Sequence, residues 1–147
     1  MEMASVRLMV EFKVDGEPQG KGRPRFSRKI GRAYTPEKTA TYESLIRSDF
    51  YRQNPDIRFD SGPVTLSIWA YMSIPESKSK MTKAMMRSGH EKPTKKPDID
   101  NIIKAVMDAL NGAAWKDDKQ VCELNVHKLY GDTPGLFVRI SGEVTTK

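Results

Sequence analysis

The residues whose types and spacing could do chemistry lie in one stretch, KPDIDNIIKAVMDALNGAAWKDDKQ, from Lys96 to Gln120. Asp98 and Asp100 stand one residue apart, Lys104 follows, and Asp117 and Asp118 adjoin after a gap. Carboxylates brought within hydrogen-bond distance of one another repel unless a proton or a cation sits between them. A hard divalent ion with oxygen ligands, Mg²⁺ or Mn²⁺, is the usual solution. Such an ion suits phosphodiester hydrolysis, because it activates water and stabilises charge on a pentavalent phosphate. Lys104 would neutralise charge on the transferring phosphate or on the leaving oxygen.

The elements that must position these groups are legible in the same stretch. Asp98 follows Pro97 and can cap a helix that starts at about Ile99. Ile99, Ile102, Ile103, Val106, Met107 and Leu110 fall on one apolar stripe, with Asp100, Lys104, Asp108 and Asn111 on the polar side. Asn111-Gly112 is a stop signal. A short loop with Trp115 then leads to Asp117 and Asp118, just before a strand-like run from Gln120. This arrangement would bring Asp117 or Asp118 back toward Asp98 and Asp100. The same residues also have a plain structural account. Asp98 and Asp100 complement a helix N-terminus, Lys104 pairs with Asp100 or Asp108, and Asp117-Asp118 makes a turn. Spacing alone leaves both accounts open.

Charge distribution favours the chemical one. The 147 residues carry a net charge of +6 and a pI of about 9.4, which suits a polyanionic partner. Residues 18–35 hold six basic groups and no acid: Lys21, Arg23, Arg25, Arg28, Lys29 and Arg32. Residues 77–96 hold seven basic groups against Glu91 alone, and end on Lys95 and Lys96 beside Asp98. Each segment sums to +6, so the rest of the chain sums to −6. A basic surface around an acidic centre is what a phosphodiester-cleaving enzyme needs. In residues 18–35 the basic groups interleave with Phe26 and Tyr34, which suits phosphate contacts plus base stacking. Gly20-Lys21-Gly22 is not a P-loop, since the upstream glycine and the Ser/Thr after the lysine are missing.

A single cysteine, Cys122, excludes an internal disulfide and a multi-cysteine zinc site, and reads as a small core residue. His90 and His127 are too few and too far apart to suggest zinc. No apolar run approaches a membrane span and no signal-peptide core opens the chain, so a cytoplasmic setting is expected.

The length predicts one domain, residues 1–147. Val6, Leu8, Val10, Phe12 and Val14 alternate with polar residues, as in a strand with one buried face. Residues 18–35 form a loop or loose hairpin. Thr35-Pro36-Glu37 opens a helix with Tyr42, Leu45, Ile46 and Phe50 on its buried stripe. A strand covers Val64 to Met72, with Trp69 and Tyr71 on the face opposite Leu66 and Ile68. A short helix is expected through Lys80–Arg87. After the central helix come strands from Val121 to Tyr130 and through Leu136, Val138 and Ile140. The class is therefore α+β: a mixed sheet of about four strands with two main helices on it.

The segment PDIDNIIKAVMDALNG-AAWKDDKQV resembles the RusA family of Holliday junction resolvases, common in prophages. That family carries a D-x-D-N-x-x-K helix followed by W-x-D-D-x-Q-V. Here these are Asp98, Asp100, Asn101 and Lys104, then Trp115, Asp117, Asp118, Gln120 and Val121. KGRPRF and AYTPEKT also resemble family members, so the likeness runs from about Val10 to Leu129. The resemblance implies a Mg²⁺-dependent endonuclease that nicks two strands of a four-way junction in DNA recombination and repair. It implies Asp98, Asp100 and Asp118 as metal-binding carboxylates and Lys104 as the catalytic lysine, with Asp117 as a secondary candidate, either a metal ligand or a holder of metal-bound water. Asp108 matches a recurrent acid of the family's helix and is given a structural role. Paired cuts across a junction are related by a two-fold axis, and one chain has one acidic cluster, so a homodimer is expected.

Three other readings belong to other classes. A nucleic-acid-binding protein without catalysis would use the acids as caps and turns. A general nuclease would act on flaps or single strands. A calcium-binding module fails, because Ile102 and Ile103 occupy positions that need an oxygen ligand and a glycine.

Overall fold

The computed structural model describes residues 4–22, 25–29, 31–34 and 37–146. Arg23 and the helix start at Thr35-Pro36 lie outside the described residues, as do the side chains of Arg25 and Tyr34.

The strands are β1 (Ala4–Asp15), β2 (Arg25–Ser27), β3 (Arg32–Tyr34), β4 (Val64–Ser73), β5 (Val121–Gly131) and β6 (Gly135–Thr146). The helices are α1 (Glu37–Gln53), α2 (Lys80–Arg87) and α3 (Ile99–Leu110). Four strands form one sheet in the order β1-β6-β4-β5. β6 runs antiparallel to both β1 and β4, while β4 and β5 are parallel. A parallel pair cannot be joined by a tight turn, and the connection from β4 to β5 is long enough to hold α2 and α3. The expected mixed four-stranded α+β sheet is what forms, with α2 as a third, short helix.

Alternation explains which face is covered. Val10, Phe12 and Val14 of β1, Leu66, Ile68 and Ala70 of β4, and Leu136, Val138 and Ile140 of β6 are all buried. They meet Tyr42, Ile46 and Phe50 of α1 and Ile102, Val106 and Leu110 of α3 in one core. Phe12 and Phe50 pack edge to face, with centroids 5.5 Å apart. Arg47 Nε donates to the Ala109 carbonyl at 2.9 Å, which ties α1 to the end of α3.

Four sequence expectations need correction. Val6, expected on the buried face of the first strand, and Leu45 and Ile99, assigned to buried stripes, are exposed. Leu45 sits off the Tyr42–Ile46–Phe50 line, and Ile99 is the first residue of α3. Cys122 is exposed rather than core. It is the second residue of β5, which lies at the edge of the sheet and is poorly covered there.

On the opposite face Trp69 is partly covered by its own neighbours. His127 stacks on it at 6.0 Å, Phe137 meets it edge-on at 5.6 Å, and the Arg139 guanidinium lies 5.1 Å from its ring centre. Glu11 holds that guanidinium at 2.9 Å.

Residues 18–35 are an ordered hairpin in part. β2 and β3 pair as their own two-stranded sheet, in register Ser27 to Arg32. Gly31, at φ +66°, donates its N–H to the Ser27 carbonyl at 2.8 Å and closes the turn.

Candidate active site

α3 starts where the sequence puts it. Asp98 is extended (φ −67°, ψ 149°) and its carbonyl accepts from the Asn101 and Ile102 N–H groups at 3.1 and 3.2 Å. Its side chain makes no capping hydrogen bond, although aspartate at this position commonly makes one. Asp100 lies in the first turn and Lys104 one turn on. Their charged groups are 3.8 Å apart on a solvent-facing stripe, with side chains 65 % and 60 % exposed.

Asp118 is held differently. Trp115 is fully buried, and its indole Nε1 donates to Asp118 Oδ1 at 2.8 Å. The Asp118 N–H donates to Asn111 Oδ1 at 3.1 Å. Asn111 therefore does more than stop the helix: it orients the acid that follows. Burial pushes the Asp118 carboxyl above its usual range, the Trp115 bond opposes this, and the charges of Asp108 and Asp117 add to it. An acid so placed favours a proton or a cation.

Asp117 is occupied with local structure. It caps a single 3₁₀ turn, accepting from the Lys119 N–H at 3.0 Å. Gln120 Oε1 takes the N–H groups of Lys116 and Asp117 at 2.9 and 3.0 Å, and its Nε2 reaches the Phe59 and Gly62 carbonyls. Trp115 and Gln120 thus fasten the loop that presents Asp118.

Asp98 and Asp100 open α3, whereas Asp118 lies beyond its other end, beside the charge of Asp108. Among the described residues, no group of three or more histidine, cysteine, aspartate or glutamate side chains is placed to hold a metal ion. The donor chemistry of Asp98, Asp100 and Asp118 is nonetheless all oxygen and all anionic, the set a hard divalent ion prefers.

The basic residues divide into two groups. Arg28, Lys29, Arg32, Lys95 and Lys96 are exposed, and Phe26 beside them is 67 % exposed. Lys21, expected among the DNA contacts, is turned inward. Its ammonium hydrogen-bonds to Asp108 and lies 3.5 Å from Glu43 Oε1. Those bonds raise its pKa, Asp108 contributing most and burial opposing. Glu43 had no signal in the sequence beyond its place on α1. Only packing of α1 beside α3 reveals it.

An open groove of about 400 Å³ runs from Gly20, Lys21 and Gly22 past Lys96 and Pro97 to Asp98 and Asn101. The 77–96 segment is anchored nearby. Arg87 pairs with Asp132 at 2.8 Å, and Lys128 Nζ donates to the Lys95 carbonyl at 2.7 Å.

The model of the family Endodeoxyribonuclease RusA matches residues 15–141. The chain belongs to the RusA endodeoxyribonuclease family. It is therefore a member of an enzyme family that hydrolyses DNA. It is also 36 % identical over 135 residues to the uncharacterized protein YqaN of Bacillus subtilis (strain 168), covering 89 % of this chain and 94 % of that protein. The RusA match spans β4, both segments of the acidic site and β5, so the groove beside Asp98 and the Trp115-anchored loop belong to the matched region. No helix among the described residues is long and apolar enough to cross a membrane.

Proposed function

We propose that this RusA-family chain is a divalent-metal-dependent endonuclease that resolves four-way DNA junctions by paired phosphodiester cuts, in recombination and repair. The observation that carries the reading is Asp98: an N-cap acid with no capping bond, on a groove flanked by Lys96. Asp98 and Asp100, at the head of α3, would hold the ion, Mg²⁺ with Mn²⁺ as substitute; the family pattern adds Asp118, which stands beyond the other end of the helix, and Asp117 would serve through the turn it caps. When bound, the ion supplies Lewis acidity toward the scissile phosphate and makes a water more acidic. Lys104 provides a fixed positive charge one turn from Asp100, suited to the leaving oxygen. Arg28, Lys29, Arg32, Lys95 and Lys96 take backbone phosphates, and Arg23 and Arg25 belong to the same basic run. Phe26 offers a ring to an unstacked base. Two copies related by a two-fold axis would make the two cuts. A cytoplasmic setting, where junctions arise, fits this role.

The test is cleavage of a synthetic four-way junction with Mg²⁺ against EDTA, beside flap and linear duplex substrates. Junction-selective, EDTA-sensitive nicking is expected. Asp98→Asn should lower it at least about 100-fold while junction binding stays equal or tightens, because less negative charge meets the phosphates. An Asp98→Asn variant that cuts at the wild-type rate refutes the site.

A further inference from the structure

We infer that Lys21 is a positioning residue: an internal cation that fastens the segment before the basic hairpin across α1 and α3, and not a DNA contact. Its use for catalysis rests on the nuclease reading above; its charge pairing does not.

Four contacts fasten the segment Gly20-Lys21-Gly22. Gly20 lies against α3 so closely that a Cβ there would fall 2.8 Å from Asn101 Cβ and 2.9 Å from Pro97 Cβ. The Lys21 N–H donates to the Asn101 carbonyl at 2.9 Å. The Lys21 ammonium reaches two turns further along α3 to Asp108, and across to Glu43 on α1. The Gly22 N–H donates to Oγ1 of Thr39, a buried α1 residue, at 2.9 Å. Three consecutive residues thus bridge both helices, and β2 of the hairpin begins at Arg25.

The charges explain why a lysine is needed. Glu43 and Asp108 come from different helices and face one ammonium. The Glu43 side chain is only 16 % exposed, and its Oε1 is buried with no hydrogen-bond partner. Without Lys21 that carboxylate would be a buried charge without its cation, which is strongly unfavourable. Asp108, in turn, is one of the charges felt by Asp118. Lys21 therefore compensates the acidic helix beside the site while it sets where the hairpin leaves the body. An ammonium whose charge already faces two carboxylates is attracted less strongly by a phosphate.

Lys21→Met and Lys21→Met/Glu43→Gln test this in the full-length protein. A phosphate contact contributes about 0.9 to the slope of log binding constant against log salt. Junction binding by fluorescence anisotropy across a salt series should therefore keep the wild-type slope in Lys21→Met. A slope smaller in magnitude by about 0.9 would show that Lys21 contacts DNA, and overturn the proposal. In thermal denaturation, which needs no DNA, Lys21→Met should melt below wild type. The double variant should melt above Lys21→Met, because its buried acid is gone. A double variant that melts at or below Lys21→Met overturns the counter-ion role. At saturating junction, single-turnover cleavage by Lys21→Met should fall at least about tenfold, with a larger effect on rate than on affinity. A wild-type rate in a folded Lys21→Met overturns the positioning role. If the wild type itself does not cut, the nuclease reading fails, and the salt and melting results still judge the pairing.

Discussion

Asp98, Asp118 and Lys104 are three charged groups whose surroundings assign them different work. Asp98 is exposed and leaves the helix end uncapped by its side chain. Asp118 is half-buried and held by an indole and an asparagine. Lys104 stands in solvent beside Asp100, where the pair contributes little to stability. Lys104→Met should therefore leave the melting temperature nearly unchanged. It should lower single-turnover cleavage at saturating junction about 100-fold if it stabilises the leaving oxygen; an unchanged rate would assign it to the surface pair alone. Trp115→Phe preserves most of the buried apolar volume and removes the donor to Asp118. It should cost about 1–3 kcal/mol in urea denaturation, the range for a polar group left without its partner. Cleavage should fall with it, since Asp118 then loses the bond that fixes its direction.

At the scale of elements, α3 acts as a rail. Its buried side, Ile102, Ala105, Val106, Ala109 and Leu110, locks it to α1 and the sheet. Its N-terminus carries Asp98 and Asp100, and its far end hands over through Asn111 and Trp115 to Asp118. The segment that leads toward the hairpin is seated on this rail at Gly20. Gly20→Ala would force a methyl against Asn101 and Pro97, and should destabilise by about 1–3 kcal/mol as an overpacking change. Its effect on cleavage should exceed its effect on stability, because the shift occurs beside Asp98. Urea denaturation and junction cleavage on the same preparation would check this. Equal wild-type values in both would mean that the loop gives way freely.

For the whole molecule, one sheet face carries α1, α3 and the candidate site, and the other carries the Trp69 cluster. A four-way junction presents two equivalent strands, so resolution by this chain predicts a two-fold dimer. Sedimentation at micromolar concentration should give twice the chain mass; a monomer that still makes paired cuts would refute the symmetry argument.

The sequence by itself determined the α+β class, the extent of α3 from Ile99 to Leu110, the short α2 and the four sheet strands. Period-2 and period-3.6 patterns are set by local geometry, so they mark element type even where single positions of a stripe, such as Leu45 and Ile99, end up exposed. It also marked Asp98, Asp100, Lys104 and Asp118, because their spacing carries a family pattern. Only the tertiary structure decided what Lys21, Glu43, Asp108 and Cys122 do. Lys21 read as one more cation in a basic run, yet it faces inward because two acids from α1 and α3 meet at its position. Cys122 read as core, yet it lies near the start of an edge strand. Whether a charge or a small apolar side chain meets solvent depends on which distant elements pack over it, and composition and periodicity hold no record of that.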